Sequence, residues 1–138
     1  METASNDEII RRMLREHRRI AVVGLSANPD RPSFEVAEYM QARGYEIVPV
    51  NPNCARVLGE KSYSSLEEIP GEIGIVDVFR RAENTPEVAH AAAKVGAKAL
   101  WLQLGVVSEE SARIARDGGM EVVMDRCIKI EHERLFGN

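Results

Sequence analysis

Ile20-Ala21-Val22-Val23-Gly24-Leu25-Ser26-Ala27-Asn28-Pro29-Asp30-Arg31-Pro32-Ser33 runs from an uninterrupted apolar segment, through a glycine and a small polar loop, into a helical stretch. Apolar residues at consecutive positions imply burial on both faces, the environment of a strand inside a parallel sheet. Strand end, backbone turn and helix N-terminus in that order are what an α/β protein offers to a phosphate. Gly24 and Ala27 leave backbone amides approachable, and Ser26 and Asn28 supply small polar side chains. The helix opening near Ser33 directs its unbonded amides to the same place. Arg31 adds a cation able to hold a phosphate oxygen. The loop lacks the full Gly-x-Gly-x-x-Gly spacing of a dinucleotide site.

Outward from this loop, strand and helix patterns alternate along the chain. Residues 5–17 read as a helix, with Ser5-x-x-Glu8 as a capping box and Ile9, Ile10, Met13 and Leu14 as one apolar stripe. A helix over residues 33–43 ends at Gly44, and a strand over 46–50 contains Pro49, which places it near a strand end or outside full pairing. Residues 51–70 read as loop, with a helical turn at 64–68. Strands follow over 73–79, 99–104 and 121–124. Thr85-Pro86-Glu87 starts a helix that Gly96 ends, Ser108 caps one that Gly118-Gly119 end, and Asp125 caps a last one running to about Leu135. Five β runs separated by helices predict right-handed βαβ units: an open parallel five-stranded sheet with helices on both faces. With 138 residues, 44% of them hydrophobic and 29% charged, the chain reads as a single globular domain over residues 1–138, the helix in 1–18 packing on its sheet.

Ligands of such sheets sit at the carboxyl ends of the strands. An NAD-binding unit places an acidic residue at the end of its second strand. Here that place holds Asn51-Pro52-Asn53, and no Asp or Glu occurs between Val48 and Arg56. A carboxylate would repel a phosphorylated ribose; an amide and an arginine tolerate one, which favours NADP or coenzyme A over NAD. After the third strand, Phe79 is placed to flank an adenine or a pantetheine arm and Arg80 to lie over a pyrophosphate. Gln103 is an amide in an apolar run and calls for a partner, either a ligand amide or a neighbouring backbone group.

The net charge of −4 argues against a nucleic-acid partner. No apolar run approaches the ~20 residues of a membrane span, and the acidic N-terminus is no signal peptide, so the expected location is cytoplasmic. Cys54 and Cys127 match no metal spacing. His17, His90 and His132 all fall on expected helices. Cys127, near a helix N-terminus with His132 one to two turns on, is the one candidate for thiol chemistry. No Ser-His-Asp set or paired carboxylates stand out.

The runs Val50-Asn51-Pro52, Gly59-Glu60-Lys61-Ser62-Tyr63-Ser64-Ser65-Leu66-Glu67-Glu68-Ile69-Pro70, Asp77-Val78-Phe79-Arg80, Trp101-Leu102-Gln103-Leu104-Gly105 and Asp125-Arg126-Cys127-Ile128-Lys129-Ile130-Glu131-His132 resemble the small, stand-alone CoA-binding proteins of bacteria and archaea. These are similar to the N-terminal CoA-binding domain of the succinyl-CoA synthetase α subunit. The resemblance covers nearly the whole chain, in order. It implies a Rossmann-like sheet of order 3-2-1-4-5 with coenzyme A across the strand ends. It also implies phosphates and adenosine near Gly24, Ser26, Ala27, Asn28, Arg31 and Ser33, and Asn51, Pro52 and Asn53 along the nucleotide. Phe79, Arg80, Gln103 and Leu104 would face the arm or the pyrophosphate. Where the synthetase has a lysine and glycines after its second strand, this chain has Asn53-Cys54-Ala55-Arg56. The synthetase's phosphorylated histidine lies in a second domain that has no counterpart here. The expectation is therefore a protein that binds CoA or acyl-CoA, rather than an enzyme, with self-association or a protein partner left open. The alternatives are an NADP-linked oxidoreductase, for which Lys61 and Tyr63 lie too early to form a catalytic pair, and a thiol-redox protein using Cys127.

Overall fold

The computed structural model describes residues 6–137. Its elements in chain order are α1 (Asn6–Glu16), β1 (Arg19–Val23), α2 (Pro32–Ala42), β2 (Glu46–Val50), β3 (Arg56–Val57), β4 (Glu60–Lys61), β5 (Ile75–Val78), α3 (Thr85–Lys94), β6 (Ala99–Leu102), α4 (Glu109–Asp117), β7 (Glu121–Val123) and α5 (Ile128–Phe136). Five strands form a parallel sheet in the order β2-β1-β5-β6-β7. The alternation of side chains along each strand then divides the core in two. Ile20, Val22, Ile75 and Trp101 face α1, α2 and α5, while Ala21, Val23, Val76, Val78 and Leu102 face α3 and α4. Both sides of every central strand are buried, which is why residues 20–23 read as a continuous apolar run and β5 departs from one only at Asp77. The Rossmann-like α/β architecture expected from the sequence stands.

The place of the third long strand does not. In the order 3-2-1-4-5 it would lie outside β2; instead β5 pairs with the opposite edge of β1, giving 2-1-3-4-5 for the five strands. What lies outside β2 is a single residue. Tyr63 forms an isolated parallel bridge to Val50, its N–H donating to Pro49 O at 3.0 Å and its carbonyl accepting from Asn51 N–H at 2.9 Å. Since N–H and C=O of one strand residue point to the same side, the missing N–H of Pro49 also faces outward. Proline is therefore accommodated without losing a bond to β1.

Other boundaries shift for local reasons. Residues 56–61, expected as loop, form a β3–β4 hairpin whose turn is Leu58-Gly59, both at positive φ (54° and 78°). The helical turn at 64–68 is a 3-10 turn over Leu66–Glu68. Ser108 caps α4, its Oγ accepting from Ser111 N–H at 3.1 Å. Asp125 does not cap α5. It adopts φ 60°, its carboxylate accepts from Gly105 N–H at 2.8 Å, and the residue before α5 is Cys127, which makes no side-chain cap. An aspartate tolerates the left-handed region, and here it ties the loop after β7 to the loop after β6. Ser5, the expected cap of α1, lies outside the described residues. The α1 helix is held on the sheet by buried Ile10, Met13 and Leu14 and by ion pairs of Arg12 with Glu121 and Asp7 with Arg134. No helix among the described residues is long and apolar enough to cross a membrane.

Candidate functional site

The β1–α2 and β5–α3 connections leave the sheet towards opposite faces, so a crevice opens between the carboxyl ends of β1 and β5. This is the topological switch point of the sheet. Two grooves flank it. The larger, about 710 Å³, lies on the α2/α5 side over Val36, Phe79, Gln103, Leu104, Val106 and Ile130. Charged Glu35, Arg81, Lys129 and Glu133 also line it. The smaller, about 420 Å³, lies on the α3 side, where Val23, Val50 and Leu66 meet Ser64, Ser65 and Lys94. Arg80 lines both.

The loop of residues 24–31 between the grooves is built largely by its own side chains. Ser26 N–H donates to Ser33 Oγ, Asn28 N–H to Ser26 Oγ, and Asp30 N–H to Asn28 Oδ1, at 2.9–3.0 Å. These small polar residues therefore curl the chain into the α2 N-terminus, with Arg31 extended at the position before the helix (φ −89°). Gly24 is required by geometry. It sits at φ 86°, and a Cβ there would meet Phe79 O at 2.4 Å. The loop after β2 is locked to this one: Asn51 Nδ2 donates to Leu25 O at 2.9 Å, while Asn51 Oδ1 accepts from Asn53 N–H at 2.9 Å. Both ends of the Asn51 amide are thus spent on the scaffold.

Of the residues singled out from the sequence, Phe79, Arg80, Gln103 and Leu104 line the larger groove. Gly24, Ser26, Ala27, Asn28, Arg31, Ser33, Asn51, Pro52 and Asn53 line neither groove and form the ridge beside the crevice. Arg31, Arg80 and Arg81 make no ion pair among the described residues and remain available to an anion. Arg56, by contrast, donates to Gly59 O at 2.8 Å within the hairpin.

Gln103 finds a side-chain partner in place of the expected backbone group. Its Nε2 donates to the carboxylate of Asp77 at 2.5 Å, and both residues are buried. Asp77 is not among the site residues expected from the sequence. The available signal was a carboxylate inside Ile75-Val76-Asp77-Val78, which demands a donor on an adjacent strand. With only Gln103 to offset burial, the Asp77 carboxyl is pushed up to about 7.

Cys127 lines the larger groove, half-buried at the start of α5. His132 is turned elsewhere. Its Nδ1 lies 3.0 Å from Tyr39 Oη and its ring packs against Tyr39, Tyr45 and Phe136. Burial, with Arg43 and Arg18 nearby, lowers its pKa. It is a packing histidine. Among the described residues no group of three or more His, Cys, Asp or Glu comes together as a metal would need.

Comparison with known proteins supplies the family. The model of the CoA binding domain matches residues 18–133. The chain is 48% identical over 132 residues to an uncharacterized protein of Bacillus subtilis, YneT, covering 96% of this chain and 97% of that one. It is 31% identical over 96 residues to an ADP-forming acetate–CoA ligase of Archaeoglobus fulgidus, matching 68% of this chain but 14% of the ligase. Among solved structures, a hypothetical protein from Pyrococcus horikoshii superposes with a TM-score of 0.93 at 39% identity, covering 99% of this chain and all of that one. A Thermus thermophilus protein gives 0.90 at 33% identity, covering 96% of this chain and all of that one. The chain belongs to the CoA-binding domain family.

Proposed function

We propose that the crevice at the ends of β1 and β5 binds coenzyme A or an acyl-CoA. The observation that carries this reading is Arg80. It is an uncommitted cation that lines both the larger, more apolar groove and the smaller one, beside a loop that ends in a helix N-terminus. A ligand with an apolar arm, a diphosphate and a phosphorylated nucleoside matches that sequence of surfaces. The arm lies in the larger groove against Phe79, Leu104 and Ile130. The diphosphate lies over Arg80 beside the loop that leads into the α2 N-terminus, and Arg31 takes the 3′-phosphate. The absence of a carboxylate at Asn51 to Asn53 lets the phosphorylated ribose approach.

Thermal-shift titration with CoA, dephospho-CoA, NADP and NAD tests this. A ligand that binds only the folded chain stabilises it by about 2.7 kcal/mol at a hundredfold excess over its Kd. CoA is expected to raise the Tm progressively and NAD to leave it unchanged; a response to NADP without one to CoA would overturn the reading. Arg80→Ala is expected to weaken CoA and dephospho-CoA alike, by about tenfold for one charge-assisted contact. Arg31→Ala is expected to weaken CoA by more than dephospho-CoA.

The family's shared domain and the burial of His132 among aromatic rings favour a binding protein over an enzyme. One observation favours a second reading: Cys127 faces the groove assigned to the thiol-bearing arm. In that reading its thiolate attacks one sulfur of CoA disulfide, forming a mixed disulfide and releasing one CoA thiolate. Incubation with CoA disulfide followed by intact-mass measurement decides it. An adduct on the wild type that is lost in Cys127→Ser supports thiol chemistry, and an unmodified wild type excludes it.

A further inference from the structure

Gln103, which lines the larger groove, is backed by a buried carboxylate that an apolar arm alone does not need. Asp77 lies within β5 at 2% exposure and Gln103 just after β6 at 5%. Across the sheet Asp77 is flanked by Val22 and Trp101, so no cation reaches it from β1 or β6. The charged groups that line the groove are Glu35 from α2, Lys129 and Glu133 from α5, and Arg80 and Arg81 after β5. Lys129 is turned to Glu35 at 3.7 Å, and none of the five forms an ion pair with Asp77. Gln103 is thus the only side chain bonded to the Asp77 carboxylate among the described residues. A primary amide has a donor end and an acceptor end. With Nε2 committed to Asp77 Oδ1, the end of Gln103 without a partner among the described residues is Oε1.

We propose that Asp77 is a positioning residue: its ionised carboxylate holds Gln103 Nε2, so that Gln103 Oε1 is presented to the groove and accepts an amide N–H of the pantetheine arm. Protonation reverses the arrangement. The carboxylic acid O–H donates to Gln103 Oε1, the amide turns over, and its NH2 faces the arm's N–H, donor against donor. Binding of the arm therefore selects ionised Asp77. The high pKa imposed by burial puts the change near neutral pH.

This inference rests on the CoA reading, and the experiment separates the two. Kd is measured between pH 6 and pH 8 for CoA and for the methyl ester of 3′-phosphoadenosine 5′-diphosphate, which carries the nucleotide and a diesterified diphosphate without the arm. Its titrating phosphate is the one CoA carries, so the second ligand subtracts that titration. The ratio of the two affinities is expected to rise by about tenfold over this interval in the wild type, one proton being lost with a pKa near 7. In Asp77→Asn, whose amide carries a donor and an acceptor at every pH as the protonated acid does, the ratio should lie near the wild-type value at pH 6 and stay constant. Gln103→Met should lower CoA affinity and spare the nucleotide. A pH-independent ratio in the wild type, or a ratio that still varies in Asp77→Asn, overturns the inference and leaves the CoA reading intact. A wild type that binds neither ligand overturns both. The wild-type profile needs no variant to fold.

Discussion

Gly24→Ala should lower the stability of the fold by about 3 kcal/mol or more, the largest effect expected of any single methyl group in the site. Two costs add. An L-residue is strained at the φ of 86° found here. The added Cβ would also fall 2.4 Å from the carbonyl oxygen of Phe79, which is backbone and cannot rotate away. That oxygen belongs to the chain leaving β5, where the Phe79 N–H is still bonded to Val23 O at 2.9 Å. Relief of the clash must therefore separate the ends of β1 and β5, the two strands whose gap forms the crevice. For a chain of this size the loss corresponds to a fall in Tm of roughly 10 °C. CoA should recover less of it than in the wild type because the site itself is opened. A Tm within 2 °C of the wild type would show that the β1–β5 contact is not fixed.

Asp77→Asn should stabilise the protein at pH 8, and the gain should shrink as the pH falls. The carboxyl has a folded pKa of about 7, above its ordinary 3.8. Its contribution to stability is thus fully present below pH 3.8 and is lost as pH rises through 7. In the unfolded chain the group is ionised at pH 5; in the folded chain it is not until about two pH units higher. The gap between variant and wild type should accordingly narrow by about 3 kcal/mol from pH 8 to pH 5. The comparison cancels opposing trends elsewhere. Asp7 is lowered by its hydrogen bond to Arg134, and His132 by burial, and both are common to the two proteins. Urea unfolding at pH 5, 6, 7 and 8 reads the gap directly, and a gap independent of pH would refute the assignment. The buried carboxylate thus costs the fold stability at neutral pH, which a packing role alone does not explain.

Strands buried on both faces were legible because burial is written into consecutive residues. Arg19–Val23 and Ile75–Val78 are apolar throughout or nearly so, and Gly44, Gly96 and Gly119 mark the helix ends with positive φ. The β3–β4 hairpin was not legible. Two residues per strand show no alternation, and its turn places Leu58 in a conformation that the sequence does not advertise. Strand order is a tertiary property: nothing local to 75–78 states on which side of β1 it pairs. Asp125 reads as a helix cap because aspartate does cap helices, and only the approach of Gly105 N–H diverts it. Of the residues that line the larger groove, Phe79, Arg80 and Gln103 were legible from their place at strand ends, and Leu104 from the family resemblance. Asn51 fell in the right loop, yet its amide is consumed by Leu25 and Asn53. The partner of Gln103 was hidden because it depends on the register that sets Val78 beside Leu102.

The two margins of the sheet bear on how copies of this chain can associate. At one, Pro49 contributes no outward donor and Tyr63 occupies the position a further strand would take. At the other, β7 has three residues, and its Glu121 is held by Arg12 of α1. Neither margin offers a long run of free backbone groups to a second molecule, so edge-to-edge aggregation is blocked at both. An assembly of this protein would have to join helices or loops and leave each sheet its own.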